Sequence, residues 1–342
     1  MGHFRSSFIF SIIFLALAFT WGYSRGGISV ALSVLALTII LSLMEISLSF
    51  DNAVVNASVL KTWDEWWRRL FLTLGMIVAV FGMRLVFPIV IVAHSADMGY
   101  LEVWNLAISS PDEYAARLTS HHAQISAFGG IFLLLVFLNF MLDDDKDIHW
   151  IKCVEKRLGF LGRIDAMSIF IAIITLIFFV SFIEDSKKLP VLMSGIWGII
   201  VYVSVHIIGF ALENKEQNLT SEVVKKGSIG GFLYLEILDA SFSFDGVIGA
   251  FAITKDIVII MIGLGIGAMF VRSITIYLVE KGTLDEFIYL EHGAHYAIGV
   301  LAFIMLIGMK VHVPEILTGL VGIVFIVLSL YSSKKHNSLL GK

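Results

Sequence analysis

Cysteine and proline are almost missing from this chain of 342 residues, which has one cysteine, Cys153, and four prolines. A single cysteine excludes an intrachain disulfide and any multi-cysteine zinc or iron–sulfur site. So little proline suits long helices, because proline removes a helix hydrogen bond. Charge is also sparse, at 15% of residues with a formal net charge of −4. The basic residues are too scattered to form a nucleic-acid surface. No nucleophile elbow, P-loop, Rossmann glycine pattern or HExxH occurs, so no enzyme is expected. The short alternating strands of an outer-membrane barrel are missing too. What is abundant is apolar: 58% of residues are hydrophobic and the mean hydropathy is +0.90. Runs of about 17–25 apolar residues recur, the length that crosses a bilayer as a helix. The expectation is an all-α polytopic membrane protein.

Ten segments are predicted, near 8–23, 28–58, 70–93, 124–142, 165–184, 190–211, 229–254, 257–279, 293–310 and 313–332. The first has signal-peptide features, with Arg5 ahead of the apolar run and Ala16-Leu17-Ala18 behind it. The repeat described next needs it as a retained anchor. With the N-terminus inside, sixteen Lys and Arg fall on inside segments and six on outside ones. That excess predicts a plasma-membrane protein with both termini in the cytoplasm. The longest outside loop, about residues 93–123, carries Asp97, Glu102, Asp112 and Glu113 and reads as solvated.

Polar residues interrupt the apolar pattern at one stretch, Met44 to Ala57, MEISLSFDNAVVNA. A second copy, Leu238 to Ala250, LDASFSFDGVIGA, begins 194 residues after it. Aligned without a gap, Glu45 matches Asp239, Ser47 matches Ser241, Ser49 matches Ser243 and Asp51 matches Asp245. Each copy is followed by an arginine inside an apolar segment, Arg84 and Arg272, and then by a histidine at a segment start, His122 and His292. Segments two to four thus pair with seven to nine, an odd offset that inverts one copy across the bilayer. Inverted repeats of this kind are the frame of many secondary transporters, with the site near the midplane. Residues 1–184 are expected to form one membrane repeat and 185–342 the second.

Intramembrane acids are costly and mark function by default. At about 100° per residue, Glu45, Ser49, Asn52 and Asn56 share one stripe, and Ser47, Asp51 and Ser58 a second. Glu236 extends the first stripe of copy two beside Asp239. Glu45 and Asp51 reach one ion only if the helix unwinds between them; otherwise one of them serves a neighbouring contact. Carboxylate, amide and hydroxyl oxygens form a hard donor set suited to Mn²⁺, Ca²⁺ or Mg²⁺. Asp51, Asp245, Asn52, Glu45 and Asp239 are the candidate metal ligands, with no tightly bound cofactor expected. Arg84 and Arg272 are candidate counter-ions for the empty state, or structural ion pairs. Glu236, His122 and His292 are candidates for moving protons, or interfacial groups. The serines serve either ligation or helix packing. Gly263, Gly265 and Gly267 read as close helix packing.

At Glu45-Ile-Ser-Leu-Ser-Phe-Asp51-Asn52, at Ser241-Phe-Ser-Phe-Asp245-Gly246 and at the following arginines, the chain resembles the TerC-like integral membrane proteins, within a poorly characterised bacterial branch. The resemblance implies Mn²⁺ export, an association with tellurite resistance, and an ion site at Asp51, Asn52 and Asp245. Copy two departs from it where Gly246 replaces the asparagine. The expected function is proton-coupled transport of a divalent cation, most of all Mn²⁺, through the lipid bilayer. The alternative is a membrane-embedded assembly or metalation partner for exported proteins that transports nothing. Homo-oligomers fit either.

Overall fold

The structure, a computed structural model, describes residues 4–75, 77–96, 98–144, 146–164, 166–216, 229–282, 286–311 and 313–339. It is 87% helix, and no strand occurs among the described residues. In chain order the helices are α1 (Arg5–Leu48), α2 (Phe50–Leu60), α3 (Glu65–Leu70), α4 (Phe87–Ala96), α5 (Tyr100–Ser109), α6 (Pro111–Ser120) and α7 (His122–Leu142). They continue as α8 (Lys152–Gly162), α9 (Met167–Val180), α10 (Asp185–Glu216), α11 (Ile229–Ile253) and α12 (Ile257–Glu280). The last two are α13 (Leu290–Gly308) and α14 (Glu315–Leu339). Between α3 and α4 the chain is wound as π-helix over Phe71–Gly75 and Val78–Val86.

Five helices among the described residues are long and apolar enough to cross a membrane: α1, α7, α10 from Asp185 to Ile207, α12 and α13. The bent pair α8–α9 makes a sixth if it counts as one span. Several apolar helices able to span a bilayer fit an integral membrane protein. The long α1 is broken at Gly26 and Gly27, and Gly27 has φ of +71°, a left-handed conformation that glycine adopts without strain. The chain doubles back there, since a Cβ on Gly22 would lie 2.7 Å from the Cα of Ala31.

Two apolar cores hold the bundle. One gathers Ile131 to Val136 of α7 with Leu176, Tyr202, Leu235, Ile298 and Leu306. The other gathers Ile257 to Ile266 of α12 with Leu41, Val92, Val103, Tyr114 and Phe251. Helix α11 serves both, giving Leu235 and Leu238 to the first and Val247 and Ala250 to the second. Each core draws helices from both sides of residue 184. The first arm of α1 is built into the fold: Ser7 Oγ donates to the carbonyl of Met269 at 2.6 Å and lies 2.7 Å from Ser273 Oγ. Trp21 donates to Asp256 at 3.0 Å, and Asp256 also caps α12 by accepting from Val258 N–H at 2.9 Å. The glycine pattern packs helices as expected: a Cβ on Gly263 would lie 2.6 Å from Leu41 Cβ, so no larger residue lets α12 meet the second arm of α1 this closely.

Candidate functional site

The polar stretch of copy one is kinked. Ser49 leaves helical geometry at φ −104°, ψ 14°, separating α1 from α2. Its amide still bonds Glu45 O at 3.0 Å, and its carbonyl accepts from Ala53 N–H at 3.1 Å. The turn therefore bends without fully unwinding. This bend decides which acids meet.

Glu45 is buried against α12, where Gly267 makes room: a Cβ there would lie 2.5 Å from Glu45 Cβ. Its carboxylate forms a buried ion pair with Arg84, carried on the π-wound stretch, and accepts from Ser49 Oγ at 3.0 Å. Asn52, one turn into α2, donates through Nδ2 to Asp239 of α11. The two copies of the motif thus touch, Asn52 of the first on Asp239 of the second. Glu236, one turn before Asp239, reaches across to the π-wound stretch, where any side chain on Gly75 would overlap its Oε1.

A cavity of about 30 Å³ lies among these groups, lined by Ser49, Asn56, Arg84, Glu236, Asp239 and Arg272 among others. Such a volume holds one or two waters. Two of its lining residues carry buried oxygens without a hydrogen-bond partner, Asn56 Oδ1 and Glu236 Oε1, and Asn52 Oδ1 is a third such oxygen on α2. Unpaired buried polar atoms are rare and call for a cause such as a ligand or water. Two acids, Glu236 and Asp239, and two arginines line it, and Glu45 is linked to it through Arg84. Arg272 donates through Nε to the carbonyl of Leu72, a carbonyl in the π-wound stretch, while also lining the cavity. π-helical turns are frequent at functional sites.

Asp51 does not join this centre. It is 5% exposed, accepts from Asn52 N–H at 2.9 Å and faces α14, where a Cβ on Gly322 would lie 3.4 Å from its Oδ2. Of the two readings of Glu45 and Asp51, the neighbouring contact is the one found. Asp245 belongs to α11 by its backbone, and its side chain lies outside the described residues. Among the described residues no group of three or more His, Cys, Asp or Glu is placed to hold a metal ion.

The histidines stand elsewhere. His122 opens α7, 3.4 Å from Ser126 Oγ and near Gly308 of α13. His292 belongs to a second polar cluster, where its Nε2 donates to the carbonyl of Ile148 at 2.9 Å and lies 3.5 Å from Glu155. Glu155 is fully buried and accepts from Ile151 N–H at 3.0 Å, Trp150 N–H at 3.2 Å and Tyr296 OH at 3.3 Å. Nothing in the sequence marks Glu155, because its helix is dotted with charge. Beside this cluster opens a vestibule of about 550 Å³, lined by Asn139, Asp143, Asp144, Ser168, Tyr234 and His295 among others. At its edge Lys146 sits 4.1 Å over the Phe140 ring, and burial lowers the lysine's pKa against the pull of Glu155, Asp143 and Glu291.

Comparison with known families matches residues 50–339 to one described as "Protein of unknown function (DUF475)". No curated protein and no solved structure matches the chain.

Proposed function

Since the chain belongs to the DUF475 family, whose function is unknown, we propose from the site itself that it is a secondary transporter of a divalent cation. Mn²⁺ moving outward in exchange for protons is the substrate and direction we favour. The observation that carries this reading is the contact of Asn52 with Asp239, which joins the two motif copies beside a cavity ringed by acids and arginines. In the full reading ten segments form two inverted repeats, 1–184 and 185–342, with both termini in the cytoplasm. The resemblance to TerC-like proteins supports the metal.

In the mechanism we propose, the arginines hold the empty state. Arg84 neutralises Glu45, and Arg272 stands over the same cavity. Buried like charges cannot all stay ionised without a cation or a proton. An entering divalent cation takes the place of Arg84 at the carboxylates, with Asn52 and Asn56 supplying amide oxygens. Protons on Glu236 and Asp239 balance the return. The vestibule at Asp143 and Asp144 is large enough to admit the ion with its water, and Tyr234 on its wall lies two residues from Glu236 on α11.

The test is metal flux into sealed vesicles holding the purified protein, comparing Mn²⁺, Ca²⁺ and Mg²⁺ with and without a pH gradient. Saturable, pH-coupled flux that disappears in Asp239→Asn and Asp51→Asn is expected. Flux retained by both variants sinks the reading. A second reading, the assembly or metalation partner, is favoured by one observation: Glu45 is engaged by Arg84 and Asp239 by the amide of Asn52, and among the described residues no group of three or more His, Cys, Asp or Glu is placed to hold a metal ion. Absent flux from folded protein of every lipid composition selects that reading.

A further inference from the structure

Helix α8 has the sequence KCVEKRLGFLG and buries Glu155 and Gly159, with Leu158 packed partly buried against the core. The Glu155 bonds to Trp150, Ile151 and Tyr296 fix its rotation about its own axis. With Glu155 inward, about 100° per residue carries Val154, Phe160 and Leu161 to the outer half of the helix. They are 43%, 65% and 38% exposed. Lys152 and Lys156 are exposed along one flank, and Arg157 stands exposed between the apolar side chains. Arg163 is already tied to Asp144 at 2.8 Å, so it does not count among them. The helix meets α9, an unbroken apolar stretch, at 104°. With α9 entering the apolar layer, a helix turned from it by that angle lies along the bilayer surface.

We infer that α8 is an interfacial helix that docks on anionic phospholipid headgroups of the surrounding bilayer. Its apolar side chains enter the boundary between headgroups and acyl chains, and its basic flank faces the phosphates. A soluble acidic partner would satisfy the lysines but leave Phe160, Leu161 and Val154 in water. The lipid surface satisfies both sets at once. This holds whether or not the protein transports a cation.

The chain's single cysteine, Cys153, is exposed on this helix and serves as the reporter. A nitroxide on Cys153 of the whole protein is compared in nanodiscs of phosphatidylcholine alone and of phosphatidylcholine mixed with phosphatidylglycerol. Its accessibility to oxygen, which partitions into lipid, is set against accessibility to a water-soluble nickel chelate. Docking is expected to shift the label from nickel toward oxygen as phosphatidylglycerol is added. Each of Lys156→Gln and Arg157→Gln is expected to weaken that lipid preference by about fivefold. A label equally open to nickel in both lipids overturns the inference, and that result needs no variant. An oxygen-accessible label that ignores phosphatidylglycerol and both substitutions overturns the anionic part.

Discussion

Three carboxylates inside this bundle are satisfied by different kinds of partner. Glu155 is held by two backbone amides and a tyrosine, donors fixed by the fold and unable to withdraw. Glu45 is held by Arg84, a long side chain on a separate, π-wound stretch, and Asp239 by the amide of Asn52. Backbone donors make a clamp. In the transport reading proposed above, side-chain partners on different helices are those a cation displaces, and oxygens unpaired at Asn52, Asn56 and Glu236 would receive it. The same residue type therefore fastens the fold in one place and stays available in the other.

The sharpest way to break this contrast is Arg84→Met. It leaves Glu45 as a buried charge without its ion pair, a change expected to cost about 3–5 kcal/mol. Thermal unfolding in detergent reads it, and adding Glu45→Leu is expected to restore most of the loss, because removing both charges spares the stranded one. If Arg84→Met unfolds like the parent chain, the pair is not what balances Glu45. Next in size is Glu155→Gln, which strands donors at a clamp and is expected to cost about 1–3 kcal/mol. Any cation flux should survive it. Flux lost in a folded Glu155→Gln protein would erase the distinction between the two centres. The smallest effect belongs to Lys146. Its pKa is lowered in the fold from the ordinary 10.5, so between those values the unfolded chain holds more protons and stability rises with pH. Lys146→Met is expected to flatten that alkaline rise, and an unchanged slope would remove Lys146 from the cluster's balance.

Much of the centre is legible in the sequence because acids and arginines are so costly in apolar segments. Glu45, Asp239, Glu236, Arg84 and Arg272 stand out for that reason, and the structure brings all five to the rim of one cavity or into contact with its lining. The separation of Asp51 from Glu45 is legible as well, because six residues at about 100° each put them on different faces of a helix. What periodicity does not give is the partner of Asp51, which follows from the close approach of α14 at Gly322. His122 and His292 match in the sequence alignment of the two motif regions, yet one stands by α13 and the other joins the Glu155 cluster. Position in a repeat marks a residue's level along its helix, and its partners depend on which neighbours the loops bring. Glu155 hides because Lys152, Lys156 and Arg157 around it make a charged residue look ordinary.

The seam between α1 and α12 also bears on how the protein is made. Ser7, Trp21 and Ser42 find partners at Met269, Ser273, Asp256 and Gly263, between 221 and 266 residues further along. At the ordinary pace of synthesis the N-terminal hairpin waits roughly ten to fifty seconds for them. Doubling back at Gly26 and Gly27 lets its two arms keep each other company meanwhile, with Gly22 against Ala31. The hairpin of α1 is thus locked in place only once α12 has been made, and α12 is the bolt.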